Sequence, residues 1–402
     1  MKLRQPLVSY PSTLKQQARR SLTLAADWAA RNQIRDAWPA WDANKGRFPY
    51  HILIDPAKRA TKPQIWSTCW KTARAAQGLY DAYLITGKPE HLAAANLGME
   101  YVATLQVFEP GYEKIHGAFR EDSPQGPHIA SRDGMEAIQG FISGYVVTKN
   151  PRFLRRAVAG TDFLLRAMKI GMWPFGYIPP AGPYVKQGDH FCLYAGALVF
   201  AQMYALTGNK AYLTRGLIPF ANRILKNYVR ADGALGVLIP DLNNHHMTKD
   251  GELAGVFIND DGLGVALLAA HAVTGDVRYR DAAVGAADFW TRVTTTPDRL
   301  AVFPCVALFL SDVYRLTGDR KYLPRIAEYA AQTVALQHLS PHEPFLHGCY
   351  EGEDLAAVRY DKTTKPLDYV DLRMTAYALI ALSKIAATKP NQWGCAYSCY
   401  GW

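Results

Sequence analysis

LITGKPEHL at residues 84–92 returns as VTKNPRFL at 147–154, LTGNKAYL at 206–213, VTGDVRYR at 273–280 and LTGDRKYL at 316–323, and a shortened ATKP stands at 387–390. Each copy follows a mostly apolar stretch rich in small residues. Each of the first five also precedes an amphipathic stretch, the order that a helix, a tight turn and a second helix require. In four copies Gly follows Thr directly, where a residue free to adopt positive φ closes the first helix. The phrase predicts six helix junctions.

Working outward from the junctions, the segments after the turns, together with one near the N-terminus, span 13–33, 89–106, 151–169, 210–229, 277–294 and 320–337. They are charged on one side and suit an outer layer. The segments before the turns span 65–85, 133–147, 189–206, 260–273, 303–316 and 369–386, and are small or apolar nearly all round, as buried helices are. Two concentric rings of six helices make an all-α fold, an (α/α)6 toroid, expected to take residues 1–402 as a single domain. With 49% hydrophobic and 20% charged residues, the chain has the material for so large a core.

The two kinds of connection differ in length. Inner helices pass to outer ones in about three to five residues, whereas most outer helices return through long loops at 34–64, 107–132, 170–188, 230–259 and 338–368. Long loops in a compact domain carry function. All of these arrive where inner helices begin, so that end is expected to be the active face, a hollow walled by loops and floored by six helix N-termini.

Composition narrows the partners. The net charge of +10 is spread over Arg19, Arg20, Arg155, Arg156, Lys169, Arg223, Lys226, Arg320 and Lys321 without a run of five or six. Neither nucleic acid nor a membrane is expected as a partner. No window approaches eighteen apolar residues and the start lacks the apolar core of a signal peptide, while six scattered cysteines suit reduced thiols, so a cytoplasmic location is expected.

The long loops hold aromatic, acidic and histidine residues: GRFPYH at 46–51, IHGAFREDSPQGPH at 115–128, MWPFGYIPPAGPY at 172–184, DLNNHHMTKDG at 241–251 and LHGCYEGEDL at 346–355. Rings beside carboxylates suit a sugar, whose C–H faces stack while its hydroxyls bond polar groups. Trp66, Trp70, Trp173, His190, His347 and Tyr350 are therefore candidate substrate contacts. HGAFRED and HGCYEGE resemble one another as two hairpins with the same strand-like lead-in would. Glycoside hydrolysis needs one carboxylic acid held protonated and a second group ionised. Asp133, Asp189, the adjacent Asp260 and Asp261, and Glu351 with Glu353 are the candidates. Asp133 and Glu136 also read as a D-x-x-E capping box, and capping alone could explain every aspartate at a helix start.

Twelve helices joined by a TGD-x-x-Y turn resemble the six-hairpin glycosidase superfamily, and in size and layout the unsaturated glucuronyl and galacturonyl hydrolases within it. The resemblance implies aspartates at or near inner-helix starts as general acid and base, matched here by Asp133 in SRDGMEAIQGF and Asp189 in GDHFCLYAG. Asn243, Asn244, His245 and His246 are similar to the set with which polysaccharide lyases on related toroids neutralise a uronate and move its C5 proton, so a lyase or C5-epimerase is the alternative chemistry. A toroid that only binds saccharide is the non-catalytic one. Arg132, Arg120 or Lys186 could hold an acidic sugar in any of these, since guanidinium matches carboxylate bidentately.

No zinc spacing, phosphate loop or dinucleotide fingerprint stands in its proper context, so no metal and no cofactor is expected. The expected partner is an oligosaccharide or polysaccharide substrate. The uncharged aromatic tail NQWGCAYSCYGW, at 391–402, is expected to pack over the toroid or against a second copy in a homo-oligomer.

Overall fold

The computed structural model describes residues 8–35, 45–49, 51–55, 60–64, 68–121, 123, 124, 126–169, 175–178, 182–185, 189–238, 246–248, 251–253, 256–258, 261–295, 301–351, 369–392 and 394. Among them run twelve α-helices. The outer ones are α1 (Ser12–Asn32), α3 (Pro89–Thr104), α5 (Pro151–Lys169), α7 (Ile218–Asn227, led in by a π-helical turn at Tyr212–Leu217), α9 (Val277–Arg292) and α11 (Leu323–Ala335). The inner ones are α2 (Cys69–Thr86), α4 (Ser131–Thr148), α6 (Asp189–Thr207), α8 (Gly262–Thr274), α10 (Val302–Thr317) and α12 (Leu372–Ala386). Each inner helix packs on the next, and α12 packs on α2, so the ring closes; α1 pairs with α12 as the sixth hairpin. The (α/α)6 toroid expected from the repeat is the observed fold.

The repeat explains the outer ring as well as the turns. Gly87, Gly208, Gly275 and Gly318 take φ between 69° and 76° at the ends of α2, α6, α8 and α10, and Lys149 takes 58° at the end of α4. The Thr of each of the first five phrases donates to the carbonyl four residues back and accepts the amide two residues on, as Thr274 does with Ala270 and Asp276. Five residues after Thr stands the Tyr. Tyr212 donates to Asp162 of α5 at 2.8 Å, Tyr279 to Asn222 of α7 at 2.9 Å, and Tyr322 to Asp288 of α9 at 2.8 Å. In the first copy His91 holds that place, with Nε2 2.9 Å from Asp27 of α1. The phrase thus ties each of these outer helices to its predecessor.

A second recurring device ties the other end. Gln33, Gln106 and Gln337, each just beyond an outer helix, donate through Nε2 both to a loop glycine carbonyl and to the following outer helix: Gly46 and Ala94, Gly117 and Arg156, Gly348 and Ser21. The three glycines have φ of 94°, 88° and 102°, and a Cβ on any of them would collide with the carbonyl of Leu97, Ala159 or Leu24 on that next helix. Phe119 and Tyr350 bridge back to Gln106 and Gln337, so HGAFRED and HGCYEGE do share one backbone path.

Short strands line the mouth. They are β1 (His51–Asp55), β2 (Ala60–Gln64), β3 (Ile129–Ala130), β4 (Phe175–Ile178), β5 (Gly182–Val185), β6 (Gly236–Leu238), β7 (His246–Thr248), β8 (Gly251–Leu253), β9 (Val256–Ile258), β10 (Val293–Thr295) and β11 (Tyr369–Asp371). Antiparallel pairing of β1 with β11, β3 with β4 and β7 with β10 joins loops from different hairpins. At two boundaries a strand stands at or just before the expected helix start. Helix was expected from 65 and from 369, but α2 starts at Cys69 and α12 at Leu372, because 60–64 and 369–371 are strands paired on β1. Pro63 disfavours helix for the residue before it. No helix among the described residues is long and apolar enough to cross a membrane.

Because Lys149 sits in the left-handed region with a side chain, Lys149→Gly should raise stability by about 0.5–1 kcal/mol, the strain relieved less the entropy added to the unfolded chain. Gly117→Ala should lower it by roughly 3 kcal/mol or more, combining that strain with a backbone collision. Urea unfolding of the two variants reads both, with opposite signs expected.

Candidate active site

The described mouth is richest where α12, α2, α4 and α6 lie side by side. Trp70 opens α2 and is nearly buried at 6% exposure. The Arg132 guanidinium of α4 lies 4.4 Å from its ring centroid, that of Arg373 of α12 lies 5.2 Å away, and the Lys71 ammonium 5.1 Å. Expected as a sugar platform, Trp70 instead holds cations, each attracted by the ring quadrupole.

Below this rim lies Glu136, fully buried on α4. Arg74 of α2, equally buried, pairs with one of its oxygens, and the Tyr194 hydroxyl of α6 donates to the other at 3.0 Å. Arg132 reaches the same carboxylate at 3.9 Å and donates to the Tyr194 hydroxyl at 3.3 Å. The Arg74 guanidinium also lies 5.0 Å from the ring of Tyr377 on α12. One carboxylate and its arginine thus connect four inner helices. Burial, with Glu136 beside it, pushes the Tyr194 hydroxyl well above its ordinary pKa, so that proton stays on oxygen.

Asp133 stands on the first turn of α4, nearly buried, with Arg132 Nη1 3.4 Å from its carboxylate. The capping box expected of Asp133 and Glu136 is not formed. The helix begins at Ser131 with Ala130 at its N-cap, so Glu136 falls in the second turn, out of reach of the helix start. Its partners lie across the ring instead. Glu351 joins this sector through the backbone: it bridges to Val370, two residues before α12. Burial raises the pKa of its carboxyl above the usual carboxylate range.

Other candidates lie elsewhere. Asp261 is fully buried, with φ of 52°; it accepts from Gly264 N at 3.1 Å and from Trp290 Nε1 at 3.0 Å, so it caps α8 and anchors it to α9. Tyr350, expected to face substrate, is fully buried with its hydroxyl 2.6 Å from Ser21 of α1, and belongs to the wall. The His347 carbonyl accepts from Arg31 of α1 on the outer side of the ring. Arg120 pairs with Glu109 of its own loop. Trp66, Trp173, Lys186, Asn243, Asn244, His245, Asp260 and Glu353 lie outside the described residues, as do the side chains of Asp189, His190 and His246. Among the described residues no three His, Cys, Asp or Glu side chains gather as metal ligands.

The sequence reading missed Arg74, Glu136, Tyr194, Arg373 and Tyr377 as a set. Arg74 and Glu136 carried a usable signal, since charge inside a segment expected to be buried needs an opposite partner.

No protein-family model matches the chain, and no curated protein matches it. Its fold is that of solved members of the six-hairpin superfamily. Cellobiose 2-epimerase from Bacillus thermoamylovorans superposes with a TM-score of 0.65 at 13% identity, over 92% of this chain and 98% of its own. An unsaturated glucuronyl hydrolase specific for heparin gives 0.62 at 13%, over 92% and 97%. A family 76 glycoside hydrolase from a bovine Bacteroides thetaiotaomicron strain gives 0.62 at 12%, over 92% and 77%. At these identities the likeness is one of fold.

Breaking the buried pair by Arg74→Met should cost about 3–5 kcal/mol, and pairing it with Glu136→Leu should restore part of that loss, because the second change removes the stranded charge. A double-mutant cycle in urea measures this. Equal losses in single and double variants would contradict it.

Proposed function

We propose that the protein is a carbohydrate-active enzyme that hydrolyses a glycosidic bond in an oligosaccharide at the mouth beside α12, α2 and α4. The observation that carries the reading is that the α12–α2–α4 sector holds two carboxylates in unlike settings. Burial raises the pKa of the partly buried Glu351 carboxyl, whereas Asp133 lies against a guanidinium. That division of settings is what general acid and base require. Glu351 gives its proton to the departing glycosidic oxygen. Asp133 takes a proton from the attacking water, with Asp189 at the start of α6 in reserve for the same role. The fold shared with hydrolases and epimerases of sugars supports the substrate class. The division of settings favours hydrolysis over the proton-transfer chemistry of a lyase or epimerase.

Released products separate these chemistries. Hydrolysis gives a new saturated reducing end, elimination an ultraviolet-absorbing unsaturated sugar, and epimerisation an unchanged chain length. On whichever oligosaccharide is turned over, Asp133→Asn and Glu351→Gln should each lower kcat by about 100-fold or more. Turnover that survives Asp133→Asn unchanged would refute its role.

Glu351 also predicts a pH signature. A carboxyl whose folded pKa is raised contributes stability that is fully present below its unfolded pKa and lost as pH rises through the folded one. The Tm of Glu351→Gln relative to the unaltered protein should therefore increase as pH rises from about 4. A Tm difference independent of pH would remove the argument for Glu351 as the acid.

A further inference from the structure

We infer that Tyr194 is a positioning residue for Asp133: from α6 its hydroxyl holds the Arg132 guanidinium against the Asp133 carboxylate, keeping that carboxylate charged to take a proton. This rests on the hydrolase reading above and deepens it. Arg132 and Asp133 are consecutive on the first turn of α4, and side chains one residue apart on a helix do not face each other. An arginine left to itself keeps its head in water, and holding that head still costs side-chain entropy. Here the head is folded back, with its centre 4.4 Å from the Trp70 ring centroid. One terminal nitrogen, Nη2, donates to the Tyr194 hydroxyl at 3.3 Å and lies 3.9 Å from Glu136; the other, Nη1, lies 3.4 Å from Asp133. Two nitrogens of one rigid plane thus reach a hydroxyl on α6 and a carboxylate on α4.

A phenol has one proton to give and lone pairs with which to receive. Tyr194 gives its proton to Glu136 at 3.0 Å, Arg74 pairs with the other oxygen of that carboxylate, and the Tyr194 oxygen is left to accept from Arg132. Burial keeps the proton on that oxygen, so Tyr194 orients Arg132 without adding charge. Cys69, which opens α2 near Asp133, is pushed up by burial first and stays a neutral thiol, and Glu121 of the loop before α4 pairs with His128. Lys71 of α2 and Arg373 of α12 stand at the Trp70 ring. All of these groups stay in place in the variants compared below, so differences between them isolate the link from Tyr194 to Arg132.

The test is a carboxyl NMR titration of the full-length protein carrying carboxyl-labelled aspartate, with the Asp133 resonance identified by its loss in Asp133→Asn. Tyr194→Phe keeps the packed ring and every charge but removes the hydroxyl; Asp133 should then take up its proton about one pH unit higher than in the unaltered protein. Arg132→Gln should raise that pH at least as far, and adding Tyr194→Phe to it should change nothing further. Arg132→Lys keeps the charge without the planar fork and should also raise it, which reads the positioning with Tyr194 intact. Proton uptake in Tyr194→Phe at the unaltered pH or below it, including a fall in Tm with Asp133 unmoved, would overturn the inference. So would an equal rise when Arg132 is already gone. Because the titration is read without substrate, the expected rise in a protein that cleaves no glycoside would refute the hydrolase and leave this positioning standing, whereas no rise in an active hydrolase would refute the positioning alone.

Discussion

Every feature of the mouth depends on the angle at which one helical hairpin meets the next. Six hairpins close into a ring only if that angle repeats, and two polar devices hold it from opposite ends. At the turns, a hydroxyl or imidazole five residues beyond Thr reaches an Asp or Asn on the preceding outer helix, as Tyr279 reaches Asn222 and His91 reaches Asp27. At the loop end, a buried glutamine clamps a glycine carbonyl against the following outer helix. Apolar burial is roughly non-directional and would tolerate other curvatures. These hydrogen bonds set the direction, and the convergence of inner-helix starts follows from it.

Within the ring the apolar inner helices make an unusual concession. Arg74, Glu136 and Tyr194 occupy positions where Leu or Phe would pack without the desolvation cost of charge. A second buried pair, Lys384 with Asp81, joins α12 to α2 near the opposite end, at 3.1 Å. The Arg74–Glu136 pair lies directly beneath Trp70 and Arg132, so the expense of burying it falls where a fixed guanidinium is useful. The same α12–α2–α4 sector therefore carries both the structural hub and the candidate chemistry.

Much of the fold was legible from one phrase. Thr–Gly at a helix end has a local cause, the need for positive φ, so its recurrence marked four junctions, and the rest of the phrase marked the others. The Gln clamp was less visible because its spacing varies, with Gln33 to Gly46 longer than Gln106 to Gly117, and its contacts cross between hairpins. At the site, sequence placed Asp133, Arg132 and Trp70 at the mouth, but its capping box of Asp133 with Glu136 is not formed. A D-x-x-E spacing is defined relative to where the helix starts, and that start moved two residues upstream to Ser131, which turned Glu136 from a cap into a hub. Trp70 looked like a platform because a single chain does not show which cations other helices bring to it. Asp261 was read as either cap or catalyst, and the hydrogen bonds from Gly264 and Trp290 engage both of its oxygens.

The central claim is that an oligosaccharide is bound and cleaved where α12, α2 and α4 begin. A crystal structure of the protein with a slowly turned-over acidic oligosaccharide tests it most directly. The account predicts a sugar ring in that sector, with Glu351 and Asp133 on either side of a glycosidic oxygen. Sugar density elsewhere on the toroid, with Asp133 and Glu351 contacting only protein, would contradict it.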